Sequence, residues 1–441
     1  MKKYFIQTFG CQMNLAESSI IQKTIEQYNY SKASSYQTAN LVILNTCTVR
    51  QAPENKVIEL IRNLNKLKKT KNIYILLTGC ISNLIIGSNR SKPNKILLNK
   101  LKGVDLFFSS NDLKSLQGFL EKLSDFNKNT TPVVKHAFSS YIPISQGCDN
   151  FCSYCVVPFT RGPEQSRPMN EIITEVTQKV EKGTLEIILL GQNVNSYELE
   201  GGKRKLFEEA QKKNSKIKIP LVLLLEKLNE IKGLERIYFL TSHPKDMSLD
   251  LINAVGSLSK LCNYVHLPLQ SGSDRILNLM NRHYTVKHYL SLIEKIKKRI
   301  PDVAITTDII VGFPGETEKD FQATVNVMKK VGFDMVYISR YSPRPYTASA
   351  KFSENIPESL KKKRRLILND IVEKTALKQN KKLINNKQNI LVTTKKDKNI
   401  FIGKLRNNKE IHFTSNSPQK IGTIIPIKIT KSFPWGLGGE L

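Results

Sequence analysis

Three cysteines stand on one short stretch, Cys148-Asp149-Asn150-Phe151-Cys152-Ser153-Tyr154-Cys155, separated by three and then two residues. That spacing lets three thiolates face a common centre, as a cubane iron–sulfur cluster requires. A four-iron cluster has four iron corners, so three protein thiolates leave one iron open. A fully ligated electron carrier has no such vacancy. An open iron can chelate and polarise a small molecule, and S-adenosylmethionine (SAM) fits. Its amino and carboxylate groups chelate the iron, and one electron from the cluster then breaks the sulfonium bond to give a 5′-deoxyadenosyl radical. Zinc is the competing occupant. It takes four closed ligands, and neither a fourth cysteine nor a histidine lies close by; His243, His266 and His283 are far off in the chain.

An apolar, strand-like run, Tyr141 to Ser145, precedes this loop. Five more such runs follow: Leu185–Leu190, Arg236–Leu240, Tyr264–Leu267, Ala304–Val311 and Met335–Ile338. Helical stretches separate them, among them Asn170–Glu181 and Pro220–Ile231. Eight β/α units would close a barrel; six predict an open partial barrel. Sites in such sheets lie at the C-terminal strand ends, where polar residues collect here: Asn193, Ser242, Gln270 and the turn Gly312-Phe313-Pro314-Gly315-Glu316. Asn193, Ser242, Gln270, Gly312, Gly315 and Glu316 are the candidate SAM contacts. No Ser-His-Asp set, P-loop or paired catalytic carboxylate emerges, so the chemistry belongs to the cofactors. His243 and His266 read as hydrogen-bonded structural groups.

A second set of cysteines is spread through the first 125 residues. The runs Lys3–Thr8, Asn40–Asn45 and Asn72–Thr78 are each followed within three residues by a cysteine: Cys11, Cys47 and Cys80. Val104–Phe108 is a fourth run, and helices are predicted from Asn14 or Ser18 to about Gln27 and from about Pro53. Alternating strands and helices predict a doubly wound parallel α/β sheet. Parallel strands deliver all their following loops to one edge. Cysteines 36 and 33 residues apart can thus converge there. The remaining cysteine, Cys262, fits a small buried hydrophobe.

The chain has 441 residues, enough for two or three domains, and a net charge of +30. That charge suits a polyanionic partner such as nucleic acid. Lys, Ile and Asn are abundant throughout, so many lysines are ordinary solvated faces. Polar Gln7 and Thr8 interrupt any leader-like apolar segment after Lys2 and Lys3. No run approaches the roughly 18 apolar residues of a membrane span. A soluble, cytoplasmic protein without membrane contact is expected, and its seven cysteines, Cys262 apart, then read as metal or redox groups rather than as disulfides. Beyond the basic helix Glu358–Lys382, the short runs Asn389–Thr394, Ile400–Leu405, Ile411–Phe413 and Thr423–Ile429 predict a small antiparallel barrel of oligonucleotide-binding type. Its lysines with Phe401, Phe413 and Trp435 suit a phosphate-tracking surface with stacking groups.

The loop Cys148–Cys155 resembles the signature of the radical SAM superfamily. Phe9-Gly10-Cys11-Gln12-Met13-Asn14, Asn45-Thr46-Cys47-Thr48-Val49-Arg50 and Thr78-Gly79-Cys80 resemble its methylthiotransferase branch. Tyr154-Cys155-Val156-Val157-Pro158-Phe159-Thr160-Arg161-Gly162, Gly191–Asn195 and His266–Asp274 are most similar to the members that modify dimethylallyladenosine in tRNA. The resemblance implies three domains: residues 1–125 with an auxiliary [4Fe-4S] cluster on Cys11, Cys47 and Cys80, a radical SAM core at 132–375 with a [4Fe-4S] cluster on Cys148, Cys152 and Cys155, and an RNA-binding TRAM domain at 376–441. It implies methylthiolation of carbon 2 of N6-(dimethylallyl)adenosine at tRNA position 37, beside the anticodon. One SAM methylates sulfur at the auxiliary cluster; a second, on the other cluster, gives the radical that removes hydrogen from the adenine ring. A tRNA anticodon loop, a low-potential donor such as flavodoxin or ferredoxin, and a monomeric chain are expected with it. The rivals are the same chemistry on threonylcarbamoyladenosine in tRNA or on a ribosomal-protein aspartate, and an RNA-binding iron–sulfur redox sensor, which would not need two open irons. One departure stands in Ser342–Thr347: Tyr346 occupies a position where the family usually has glycine. A polar linker is read at Ser124–Thr131 and an insertion at Glu200–Lys218.

Overall fold

The computed structural model describes residues 2–48, 51–88, 90–110, 112–123, 137–198, 219–353, 355–417 and 419–441. The linker and the insertion lie outside them. The chain divides into two compact units. One joins residues 1–135 to 146–165 and 342–350; the other holds 136–145, 166–341 and 351–441.

The first unit is built on a five-stranded sheet in the order Ser31–Lys32, Lys3–Thr8, Leu41–Thr46, Tyr74–Gly79, Leu106–Phe107, parallel throughout. The central strand shows why it forms. All six of its residues are buried, and side chains alternate between faces with a period of two. Leu41 and Ile43 pack with Ile21, Ile25, Leu116 and Leu120 on one side. Val42 and Leu44 pack with Val57, Ile61 and Leu64 on the other. Each such side chain contributes about 1.5–3 kcal/mol when fully buried. Helices therefore cover both faces, as the alternating pattern predicts. The short edge strand Ser31–Lys32, only two residues long, is the one the sequence did not reveal.

In the second unit all six expected central strands form. They make two parallel three-stranded sheets, Arg236–Phe239/Glu186–Leu190/Ser139–Pro143 and Tyr264–His266/Ala304–Val311/Met335–Arg340. The two join at Ile237, whose N–H donates to Lys260 O (2.8 Å) and whose carbonyl accepts from Cys262 N (3.1 Å). The result is an open partial barrel with one apolar core running beneath its helices. Cys262 is buried there, as expected of a small hydrophobe.

The C-terminal strands close into a five-stranded barrel: Lys387–Lys395, Ile400–Lys404, Glu410–Thr414, Gly436–Glu440 and Ile424–Phe433. The fifth strand, Gly-Leu-Gly-Gly-Glu, has almost no side chains to advertise it. One expectation is corrected here. Phe401 and Phe413 are not on the surface. They sit at inward positions, 1% and 2% exposed, stacked on each other with ring centroids 5.6 Å apart, as barrel core. Trp435 alone of the three is exposed. The barrel is also hydrogen-bonded to the partial barrel. Arg236, 2% exposed, donates to Lys404 O (2.7 Å) and Asn389 O (3.0 Å), and Tyr238 donates to Leu405 O (3.1 Å).

Candidate functional site

Strand register in the first unit explains how distant cysteines share an edge. Thr8 pairs with Asn45, Asn45 with Thr78, and Thr46 with Gly79. Cys11 lies three residues beyond that row, and Cys47 and Cys80 two residues beyond it. The loops press together. A Cβ on Gly10 would stand 2.7 Å from Cys47 Cβ, and one on Gly79 would stand 2.4 Å from Thr46 O. Gly10 and Gly79 also adopt positive φ (124° and 83°), open only to glycine at low cost.

Cys11 caps the helix Gln12–Glu26, and Cys80 opens the helix Cys80–Ile86. Beneath the thiols runs a buried amide network. Asn14 Nδ2 donates to Asn45 Oδ1 (2.8 Å) and Thr46 O (2.9 Å), Asn45 Nδ2 donates to Asn14 O (2.8 Å) and Ser18 Oγ (3.0 Å), and Cys11 Sγ lies 3.3 Å from Asn14 Oδ1.

Two arginines flank this triplet. Arg161 donates to both carboxylate oxygens of Glu17 (2.5 and 3.4 Å), and these side chains are only 4% and 8% exposed. Burial alone would depress the guanidinium. The Glu17 carboxylate, then the Cys80 thiol, then Cys11 outweigh it and keep the arginine firmly charged. Arg344 lies 3.6 Å from Glu54; burial pulls it below the usual arginine value, opposed by Glu54 and the Cys47 thiol.

The second triplet belongs to the same compact unit. Its loop is held on several sides. Cys148 N donates to Gly162 O (3.2 Å), Cys155 N to Cys152 O (2.9 Å), Arg90 to Cys148 O (3.3 Å) and to Asp149 (2.6 Å), and Ser349 N to Ser153 O (2.8 Å). Phe151 has φ 45° and carries the Arg90 guanidinium 4.9 Å from its ring centroid. Burial pushes the Cys148 thiol up to about 11, against hydrogen bonds from Asn150.

None of the six cysteines is in a disulfide. Among the described residues no three His, Cys, Asp or Glu side chains close on a single ion; a cubane spreads its thiolates over separate irons. Buried Thr48 Oγ1 and Thr78 Oγ1, two positions from or adjacent to ligand candidates, have no protein partner. Soft thiol donors, three per set, with compact glycine-lined loops fit iron–sulfur clusters.

The candidate SAM contacts sit at the C-terminal strand ends of the second unit in two groups. Asn193 donates to Asp246 (2.7 Å), while its Oδ1 and the neighbouring Ser242 Oγ are buried without a protein partner. The other group is Gln270, Gly312, Gly315 and Glu316. Gln270 (φ 68°) bridges Ile309. Glu316 is 2% exposed, and its carboxylate accepts from Gly312 N (2.7 Å) and Arg364 (2.7 Å). Burial raises its carboxyl in spite of those donors. Glu316 thus shapes the Gly312–Gly315 turn. Tyr284 links the groups: its ring meets His243 at 5.6 Å and its hydroxyl donates to Leu269 O (2.7 Å). His243 Nδ1 accepts from Lys245 N, and His266 bonds Thr306 and Asp308, both structural duties.

The sequence reading did not single out Asn14, Glu17, Asn45, Arg161 or Arg344. Asn14, Asn45 and Arg161 stood inside the words that carried the resemblance, so those words held more than their cysteines.

The chain matches the radical SAM superfamily over residues 142–328 and the uncharacterized protein family UPF0004 over residues 3–98. It is 37% identical over 455 residues to a tRNA-2-methylthio-N(6)-dimethylallyladenosine synthase of Clostridium botulinum (strain Okra / Type B1), covering 99% of this chain and 96% of that one. The chain belongs to this synthase family. The synthase of Alkaliphilus oremlandii is 39% identical, with 100% of this chain and 93% of that one covered. That of Clostridium tetani is 38% identical, with 99% and 96% covered. The fold is also similar to a radical S-adenosylmethionine methyltransferase, TsrM, of Kitasatospora setae (TM-score 0.52, 13% identity, 79% of this chain and 75% of that one). At that identity the likeness concerns fold alone, and it agrees with the family's parallel-stranded core.

Proposed function

We propose that this chain methylthiolates carbon 2 of N6-(dimethylallyl)adenosine at position 37 of tRNA, using SAM and two [4Fe-4S] clusters. The observation that carries the reading is identity of 37–39% to such synthases across essentially the whole chain, together with two three-cysteine sets. Cys11, Cys47 and Cys80 hold the auxiliary cluster, and Cys148, Cys152 and Cys155 hold the cluster that binds SAM. When bound, these groups supply methyl transfer to sulfur and the radical that activates the adenine ring. The chain's own residues do the rest. The amide network of Asn14 and Asn45 sets the Cys11 and Cys47 loops. Arg90 and Phe151 brace the Cys148 loop. Asn193, Ser242, Gln270, Gly312 and Gly315 contact SAM, and Glu316 acts by fixing the glycine turn.

The net charge of +30 favours a polyanionic substrate, and an anticodon loop offers an unstacked base for capture. Electrons come from a low-potential donor of the flavodoxin or ferredoxin kind, the chain works as a monomer, and its compartment is the cytoplasm. No described helix is long and apolar enough to cross a membrane. The test is mass spectrometry of tRNA nucleosides from cells lacking the gene. We expect 2-methylthio-N6-(dimethylallyl)adenosine to disappear and its unthiolated precursor to accumulate. Unchanged nucleosides would refute the reading.

A further inference from the structure

Arg161 follows the second cysteine triplet by six residues, yet its charge is placed among the elements of the first. Its carboxylate partner, Glu17, sits on the helix that Cys11 caps. The residue before it, Thr160, accepts a hydrogen bond at 2.7 Å from Asn83, three residues past Cys80. The guanidinium is therefore held between the Cys11 helix and the Cys80 helix, and it is 4% exposed. A buried ion pair is a costly way to fill such a space, because apolar residues of similar volume usually serve stability as well or better. Its placement beside a site built to carry negative charge calls for an electrostatic role.

We infer that Arg161, held in place by Glu17, sets the electrostatics and hence the reduction potential of the cluster on Cys11, Cys47 and Cys80. The inference rests on the two-cluster reading above. A reduced cubane carries one more negative charge than the oxidised form, so a buried cation nearby favours reduction and a buried anion opposes it. Net charge and surroundings are among the terms that set such potentials. Arg161 is a positioning residue in this account, acting on the cluster through its field. Because it travels on the Cys148–Cys155 segment, it also makes the electrostatics of one cluster depend on correct docking of the loop that carries the other.

The experiment uses full-length chain with Cys148, Cys152 and Cys155 replaced by Ala, which isolates the first cluster. Iron is counted, and the midpoint potential is read by EPR-monitored titration. Arg161→Gln is expected to move the midpoint to more negative values and Glu17→Gln to more positive values. Arg161→Lys and the double neutral variant should stay close to the parent. A merely structural pair would shift both single variants the same way, or neither. Either of those results, with four irons per chain retained, overturns the inference. If Arg161→Gln loses its iron, Glu17→Gln decides: a positive shift supports the inference and an unmoved midpoint overturns it. A parent that holds no four-iron cluster would overturn the two-cluster reading itself, and this inference with it.

Discussion

At Tyr346 a residue other than glycine stands in a turn that suits glycine, and the structure shows how it is accommodated. The residue has φ 67°, the left-handed conformation that glycine enters freely and other residues enter at a cost of about 1 kcal/mol. Its hydroxyl donates to Lys92 O (2.9 Å), and its ring lies 6.1 Å from that of Phe159. Those contacts offset the strain. Thermal unfolding should show Tyr346→Phe destabilised by about 1 kcal/mol, the worth of one hydrogen bond. Tyr346→Gly should lie within about 1 kcal/mol of the parent, since strain and contacts vanish together. A large loss in Tyr346→Gly would mean that the ring does more than compensate for its own backbone. The sequence disclosed this site as an anomaly but not its resolution, because φ and a partner 254 residues away are tertiary facts. The six cysteines were legible for the opposite reason. Their type and spacing alone narrow the chemistry. Arg161 and Glu17 were not legible, since a lone arginine in a basic chain has no signature until its burial and partner are seen.

Among the elements, the helix Glu318–Val331 ties two strand-end loops together. Thr317 and Asp320 form a capping box. Asp320 also accepts from Ser273 (2.6 Å) and from Arg275, which in turn donates to Gly315 O (2.6 Å). One carboxylate therefore fixes both the Gln270–Ser273 loop and the Gly312–Gly315 turn. Burial opposes its charge, but Arg275, Ser273 and Thr317 hold the carboxyl well below the usual carboxylate range. A carboxyl whose pKa is lower folded than unfolded adds stability above the unfolded value near 4, and that stability drains away as pH falls below it. Asp320→Ala should cost about 3 kcal/mol at neutral pH, and the gap between variant and parent should narrow as the pH drops below about 4. Denaturant unfolding at several pH values checks this; a gap independent of pH would contradict it. Most elements were legible: strands of continuous apolar residues and helices of clear period announced the doubly wound sheet and the partial barrel. Ser31–Lys32 and Gly436–Glu440 were not, being too short or too poor in side chains. The fate of Phe401 and Phe413 was misread because aromatic residues in a basic β-rich segment suit a binding face and a core equally well. Only the register of the closed barrel decides between them.

For the molecule as a whole, the barrel and the partial barrel belong to one compact unit and are hydrogen-bonded to each other. Arg236 is buried between them, and Lys409 pairs with Asp334 at 2.5 Å. Removing residues from about 384 onward would strip away the barrel carbonyls that Arg236 and Tyr238 bond and open that covered surface to water. Truncation is therefore expected to lower the unfolding midpoint as well as tRNA affinity, and Arg236→Met should be milder than truncation. Calorimetry checks this; a truncated chain as stable as the parent would contradict the clamp. The account's central claim is a division of labour between two clusters, one supplying the radical and the other the group transferred. The direct measurement is parallel quantification of 5′-deoxyadenosine and methylthiolated nucleoside for Cys152→Ala and Cys47→Ala, with iron counted in each. Cys152→Ala should make neither. Cys47→Ala should still cleave SAM under strong reduction while making no methylthio-adenosine. Full methylthiolation by Cys47→Ala, or SAM cleavage by Cys152→Ala, would contradict the account.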